Sequence, residues 1–204
     1  MQKINWKKQD KALYSPSSKA FSLIDVPAMQ FLMIEGSGNP NTAPAYQNAV
    51  QALYKVSYSL KFASKKSGKL DWVVAPLEGL WWAERMQDFS LESKEDWLWA
   101  MMIRQPDSVH SDDVHAAIES IQAKDDAIDL RGLRLERFHE GLSVQILHLG
   151  PYEAEAPTIA RMHAHISEEG YQMHGKHHEI YLSDPNRTAP KKLKTVLRQA
   201  IRRS

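Results

Sequence analysis

Apolar and polar positions alternate between two periods along the chain, and the pattern is written twice. Ala28 to Glu35 is an apolar run of strand character that ends at Gly36; Leu142 to Leu149 repeats it and ends at Gly150. Each glycine leads through a short polar loop to an Ala-Pro pair, Ala43-Pro44 and Ala156-Pro157, and the two copies differ by one loop residue. Proline suits the first helical turn, where its missing N–H is not needed, so each pair predicts a helix start. Ala45, Ala49, Leu53, Val56 and Leu60 then recur at spacings of three and four, as do Ile159, Met162, His163 and Ile166. The first helix should fade between Ser64 and Gly68 and the second at Gly170.

Strands follow each helix. Asp71 to Trp82 and Asp96 to Gln105 are aromatic and apolar, with Pro106 closing the second, and His178 to Ser183 is stopped by Asp184-Pro185. Between the copies, Ser111 can cap a helix with Asp112 and Asp113 in its first turn and Val114, Ile118 and Ile121 on its apolar stripe. Leu133 to His139 reads as pairing with Leu142 onward in a hairpin across Glu140-Gly141. The expected fold class is α+β: a pseudo-twofold duplication of a β-α-β-β unit forming one antiparallel sheet, helices on one face, with a ligand cleft between the halves. One domain over residues 1–204 is expected, with half one at about 20–106, a linker helix at about 110–125 and half two at about 130–204.

Composition narrows the function. The chain has 204 residues, 43% of them hydrophobic, enough for a sizeable core. Its 26 basic and 25 acidic side chains leave a net charge of +1, which offers no field for a polyanion, so nucleic acid is not an expected partner. The basic run Lys191, Lys192, Lys194, Arg198, Arg202 and Arg203 reads as a solvated helix face or a frayed tail. The absence of cysteine excludes disulfides, thiolate catalysis and sulfur-ligated zinc. Met1 to Asp10 is polar and lysine-rich with no apolar core after it, and no stretch approaches the ~20 apolar residues of a membrane helix. The expected setting is the cytoplasm, without a membrane partner, as a monomer or weak homodimer.

Five of six tryptophans fall between Trp72 and Trp99. On a strand Trp97 and Trp99 share a face, whereas Trp81 and Trp82 point oppositely, so one of that pair joins the other two. A single tryptophan is ordinary core material, but a wall of indoles suits a flat aromatic or cationic ligand. Glu78 and Glu179 stand inside apolar strand text, either on an exposed sheet face or in a pocket. In an apolar pocket a carboxylate becomes a usable base or a partner for a cation. Glu140 is a further candidate for the catalytic carboxylate, at a hairpin turn where a surface Glu is also natural. His163 and His165 point about 200° apart on a helix, and His174, His177 and His178 lack a partnered carboxylate at diagnostic spacing, so no metal and no cofactor are expected. No Ser-His-Asp order, phosphate loop or dinucleotide glycine pattern is present.

The duplicated units, with Pro76-Leu77-Glu78-Gly79-Leu80-Trp81-Trp82 and His177-His178-Glu179-Ile180-Tyr181-Leu182-Ser183-Asp184-Pro185, resemble the GyrI-like small-molecule-binding family from about Ala28 to Arg198. Residues 1–27 are too short for a helix-turn-helix domain, so the resemblance is to stand-alone members rather than to transcription regulators. Some of those are cyclopropanoid hydrolases, which open the strained ring of DNA-alkylating natural products inside an aromatic cage. The resemblance implies that Glu179 matches the family's buried pocket glutamate. It further implies a cage of Trp81 or Trp82 with Trp97 and Trp99, and Tyr58, Phe138 and Tyr152 as further walls. A water-activating glutamate then implies hydrolysis of flat, reactive xenobiotics. Sequestration of such compounds without turnover uses the same residues, and a gyrase-modulator-like interaction module is the third reading.

Overall fold

The structure is a computed structural model that describes residues 3–84, 94–125 and 127–203. In the first half, β1 (Lys3–Ile4), α1 (Trp6–Gln9), α2 (Lys11–Tyr14) and β2 (Ser22–Val26) precede the repeating unit. That unit is β3 (Met29–Ser37), α3 (Pro44–Lys66), β4 (Asp71–Trp72), β5 (Leu77–Trp82) and β6 (Leu98–Arg104). The helix α4 (Ser111–Gln122) and the strand β7 (Arg134–Phe138) lead to the second copy. It comprises β8 (Gly141–Leu149), α5 (Ala156–Glu168), β9 (Tyr171–Tyr181) and β10 (Lys194–Arg203). Both Ala-Pro pairs open their helices, and α3 ends at Lys66 and α5 at Glu168, just ahead of the glycines expected to stop them.

Eight strands form one antiparallel sheet in the order β2-β8-β10-β9-β5-β6-β3-β7. The order is symmetric about the β9–β5 pair: β10 corresponds to β6, β8 to β3 and β2 to β7. The pseudo-twofold axis therefore passes between the halves. The short β1 and β4 pair in parallel as a separate ribbon, so the strand expected over Asp71–Trp82 is split, with Pro76 ahead of β5.

The hairpin expected across Glu140-Gly141 does not form. β7 pairs with β3, while β8 pairs with β2. Val26 faces Gly141 and Met29 faces Phe138, three residues further along both strands, so one register runs through Pro27-Ala28 and His139-Glu140. The segments 22–37 and 134–149 are two long bent strands lying side by side. A two-residue link spans at most about 11 Å, yet each joins strands at opposite ends of the sheet order. The sheet must curl until its edges meet, giving a barrel. The short link at Glu140 suited a hairpin, but a bend exchanges partners and brings the two ends of the strand order together.

The basic C-terminal segment is also not a helix or a tail. It is β10, a central strand buried from Thr195 to Ile201. Leu197 and Ile201 face outward under α5, in a cluster with Met162 and Ile166. Val196 and Arg198 face the barrel interior, where α1 and α2 pack: Arg198 Nη2 donates to the Leu13 carbonyl at 2.8 Å and Gln145 Nε2 to that of Ala12 at 2.7 Å. Both faces are covered, so strand alternation is masked by near-complete burial. Ser111 is the first helical residue of α4, and His110 takes the cap position, its backbone N–H donating to Asp113 Oδ2 at 2.9 Å.

Candidate functional site

Strand parity decides which side chains meet. On β5, Leu77, Gly79 and Trp81 face outward, and on β9 their cross-strand partners Tyr181, Glu179 and His177 do the same. The helices α3 and α5 cover the outer face on either side of this pair. Between them lies a cleft of about 700 Å³ on the pseudo-twofold axis. Tyr46, Val50, Tyr54 and Tyr58 of α3 line one wall, four residues apart and so along one strip of the helix. Tyr152, Glu155 and the segment Leu182–Asn186 line the other side, and Trp81, Trp97, Glu179 and Tyr181 the floor.

The rings brace one another. Trp81 packs edge-to-face on Trp97 with centroids 5.3 Å apart and lies parallel-displaced to Tyr46 at 6.0 Å. Tyr152 meets Tyr181 edge-on at 5.6 Å. Glycines make room for the indoles: a Cβ on Gly79 would come within 2.8 Å of Trp81 Nε1, and one on Gly36 within 2.3 Å of the Trp99 ring. Trp99 is buried beneath the cleft, edge-on to Tyr46 at 5.4 Å.

Glu179 is held by a hydrogen bond through one oxygen, with an imidazole near the other. The Tyr181 hydroxyl donates to Oε2 at 2.7 Å, and His177 Nε2 lies 3.4 Å from Oε1. Tyr181 in turn accepts from Trp81 Nε1 at 3.1 Å. Burial, then the charge of Glu179, pushes the Tyr181 hydroxyl far above its ordinary value, so it stays a donor. Burial likewise pushes Tyr152 up to about 12.

Of the residues singled out in the sequence, Glu179, Trp81, Trp97, Tyr152 and Tyr58 line this cleft, Tyr58 at its half-open rim. Trp99 supports it from below. Trp82 points to the opposite side, under Lys176 Nζ at 3.3 Å from the ring centroid. Phe138 is on the inner face against Phe31. Glu78 and Glu140 are inside the barrel, where they bracket His178: Nε2 is 3.0 Å from Glu78 Oε2 and Nδ1 2.9 Å from Glu140 Oε2. Tyr14 donates to the other Glu78 oxygen at 3.2 Å, and Arg198 Nη1 to Glu140 at 3.3 Å. Burial disfavours the imidazolium, but the two carboxylates outweigh it and raise His178 to about 9. Burial would raise Glu140, and His178 with Arg198 overcomes it and holds that carboxyl below its ordinary value. This chain of charges is separated from the cleft by the sheet itself.

Sequence reasoning passed over Tyr46, Tyr54, Tyr181 and Glu155. The four-residue strip on α3 was a readable signal, one position off the apolar stripe. Glu155 had a fainter one: aligning the Ala-Pro pairs sets it against Thr42, where the copies diverge. It precedes α5, is almost wholly buried, and its Oε1 has no hydrogen-bond partner among the described residues. Burial, then the nearby Glu179 charge, pushes its carboxyl up to about 9.

A barrel with a duplicated helix-on-sheet unit and an aromatic, acid-floored cleft on its pseudo-twofold axis defines a small-molecule-binding domain. The chain belongs to the GyrI-like family: residues 19–198 match the GyrI-like small molecule binding domain. An uncharacterized conserved protein from Listeria innocua superposes with a TM-score of 0.92 at 41% identity, covering 98% of this chain and 100% of its own. A hydrolase from Listeria innocua does so with a TM-score of 0.89 at 40% identity and the same coverage. The C-terminal domain of EcmrR shares the fold at 8% identity, with a TM-score of 0.58 over 91% of this chain and 98% of that one. No curated protein matches the sequence.

Proposed function

We propose that the protein is a hydrolase that adds water to flat, electrophilic aromatic xenobiotics, cyclopropanoid DNA alkylators among them. The observation that carries this reading is the Glu179 carboxylate, fixed by the Tyr181 hydroxyl on the floor of an aromatic cleft. A planar ligand fits between Trp81, Trp97 and the tyrosines of α3, which stack on it and exclude bulk water. A water resting on Glu179 is then oriented toward an electrophilic carbon of the ligand, and the carboxylate accepts its proton as the new C–O bond forms. Tyr181 and Trp81 act on Glu179 by holding its rotamer, so the base does not have to be ordered at the moment of reaction. The hydrolase from Listeria innocua at 40% identity supports a hydrolytic reading without naming a substrate.

The purified protein is incubated with a cyclopropanoid alkylator and the products are followed by mass spectrometry. Many turnovers of a product heavier by one water, abolished by Glu179→Gln, are expected. Tight binding with the compound recovered intact makes the protein a sequestering one and Glu179 a ligand contact.

A further inference from the structure

We propose that Glu155 is the proton donor of this hydrolysis, delivering its carboxyl proton to the oxygen that receives the electrons of the opening ring. The inference rests on the hydrolase reading and adds a second carboxyl with the opposite role to Glu179. Ring opening in a cyclopropane-fused dienone leaves negative charge on the former carbonyl oxygen, which needs an acid as much as the water needs a base.

Three features of Glu155 suit it. It lines the same cleft as Glu179 but enters from the other side, at the start of α5 rather than from β9. Its Oε1 is buried without a hydrogen-bond partner among the described residues, a placement costly for an anion and tolerable for a neutral acid. The groups around it favour the neutral form. Glu179 and Glu153 repel a second negative charge, and Lys94 offsets them only in part. The Thr195 hydroxyl on β10 favours the charged form but does not offset burial and Glu179, and Tyr152 and Tyr181 hold their protons. On β8, burial lowers His148, so it brings no nearby cation at neutral pH. A carboxyl that keeps its proton in this way suits the acid's role.

The balance is simple. The water oxygen bonds to the cyclopropane methylene carbon as that carbon's bond to the ring breaks. The released pair passes through the conjugated ring to the carbonyl oxygen, which takes the Glu155 proton and becomes a phenol. Glu179 holds the proton lost by water and returns it through solvent, which restores Glu155. One water is added and nothing is oxidised or reduced.

The test uses a spirocyclopropyl cyclohexadienone as substrate, with kcat and ligand affinity measured against pH for the parent, Glu155→Gln, Glu155→Asp and Glu179→Gln. Glu155→Gln should lower kcat roughly 100-fold or more, leave affinity nearly unchanged and remove the alkaline fall in rate; Glu155→Asp should restore part of it. Difference infrared spectra of the parent at neutral pH should contain a protonated-carboxyl band that Glu155→Gln lacks, a readout independent of turnover. Absence of that band from the parent overturns the proposal. So does a Glu155→Gln rate and pH profile like the parent's while Glu179→Gln is inactive, a result that leaves the hydrolase reading standing. No turnover by the parent removes both.

Discussion

Tyr181 donates its hydroxyl hydrogen to Glu179 from two residues along the same strand, at 2.7 Å. The i, i+2 spacing puts both side chains on the outer face of β9, and the cross-strand bond from Trp81 Nε1 at 3.1 Å ties this pair to the cage. Indole, hydroxyl and carboxylate thus form one hydrogen-bonded chain across β5 and β9.

Tyr181→Phe breaks that chain at its middle. The Trp81 N–H and one Glu179 oxygen lose their partners in a largely buried place, and a loss of about 1–3 kcal/mol is expected. Urea unfolding reads the stability change. Turnover should fall more than ligand affinity, because the carboxylate is freed while the ring wall remains.

Gly79→Ala acts on the cage without touching its rings. The added Cβ would sit 2.8 Å from Trp81 Nε1 and 3.2 Å from Met101 Sδ, so the indole must move off Tyr181. Overpacking of this kind costs about 1–3 kcal/mol. A shifted tryptophan emission together with weaker ligand binding is the expected outcome, and a crystal structure with the Trp81 indole in its original place would contradict it.

Trp81 and Trp82 should separate cleanly in binding. Trp81 lines the cleft, and Trp82 lies on the opposite side under Lys176. Titration with a flat aromatic cation should show Trp81→Ala weakening binding roughly 3- to 30-fold, the range of one stacking or cation–π contact. Trp82→Ala should stay within about 2-fold of the parent on the same grounds.

The charged chain inside the barrel predicts how stability depends on pH. His178 is raised from its ordinary 6.5 to about 9, so the folded state holds this proton more tightly than the unfolded chain. Its contribution is complete below about pH 6.5, shrinks as pH rises and is gone above about pH 9. Glu140 has the opposite sign: held low by His178 and Arg198, it stabilises above its ordinary value and less as pH falls. Urea midpoints should therefore fall on both sides of neutrality, and His178→Gln should remove part of the alkaline fall, the remainder coming from Glu155, whose carboxyl is also raised to about 9. Arg198→Met leaves Glu140 a buried charge short of a partner and should cost roughly 3–5 kcal/mol.

The local pattern alone determined the elements whose causes are local. Proline at a first turn, apolar residues at three and four, and strand runs ended by glycine or proline placed α3, α5, β3, β6 and β8 within a few residues. The repeat of that pattern fixed the symmetry, and with it a cleft between the halves. Strand alternation showed that Trp81 and Trp82 point apart, but not which one faces the cleft, because that depends on how β5 registers with β9. Pairing across long separations decided the rest. β7 met β3 instead of β8, which closed the barrel and took Glu140 from an expected turn into the interior. Covering both faces of β10 turned a segment that looked like a solvated basic tail into a central strand, with Arg198 neutralised by Glu140. Glu155 has the same origin. In sequence it is one polar residue before a helix, and only burial beside Glu179 gives it a carboxyl that keeps its proton.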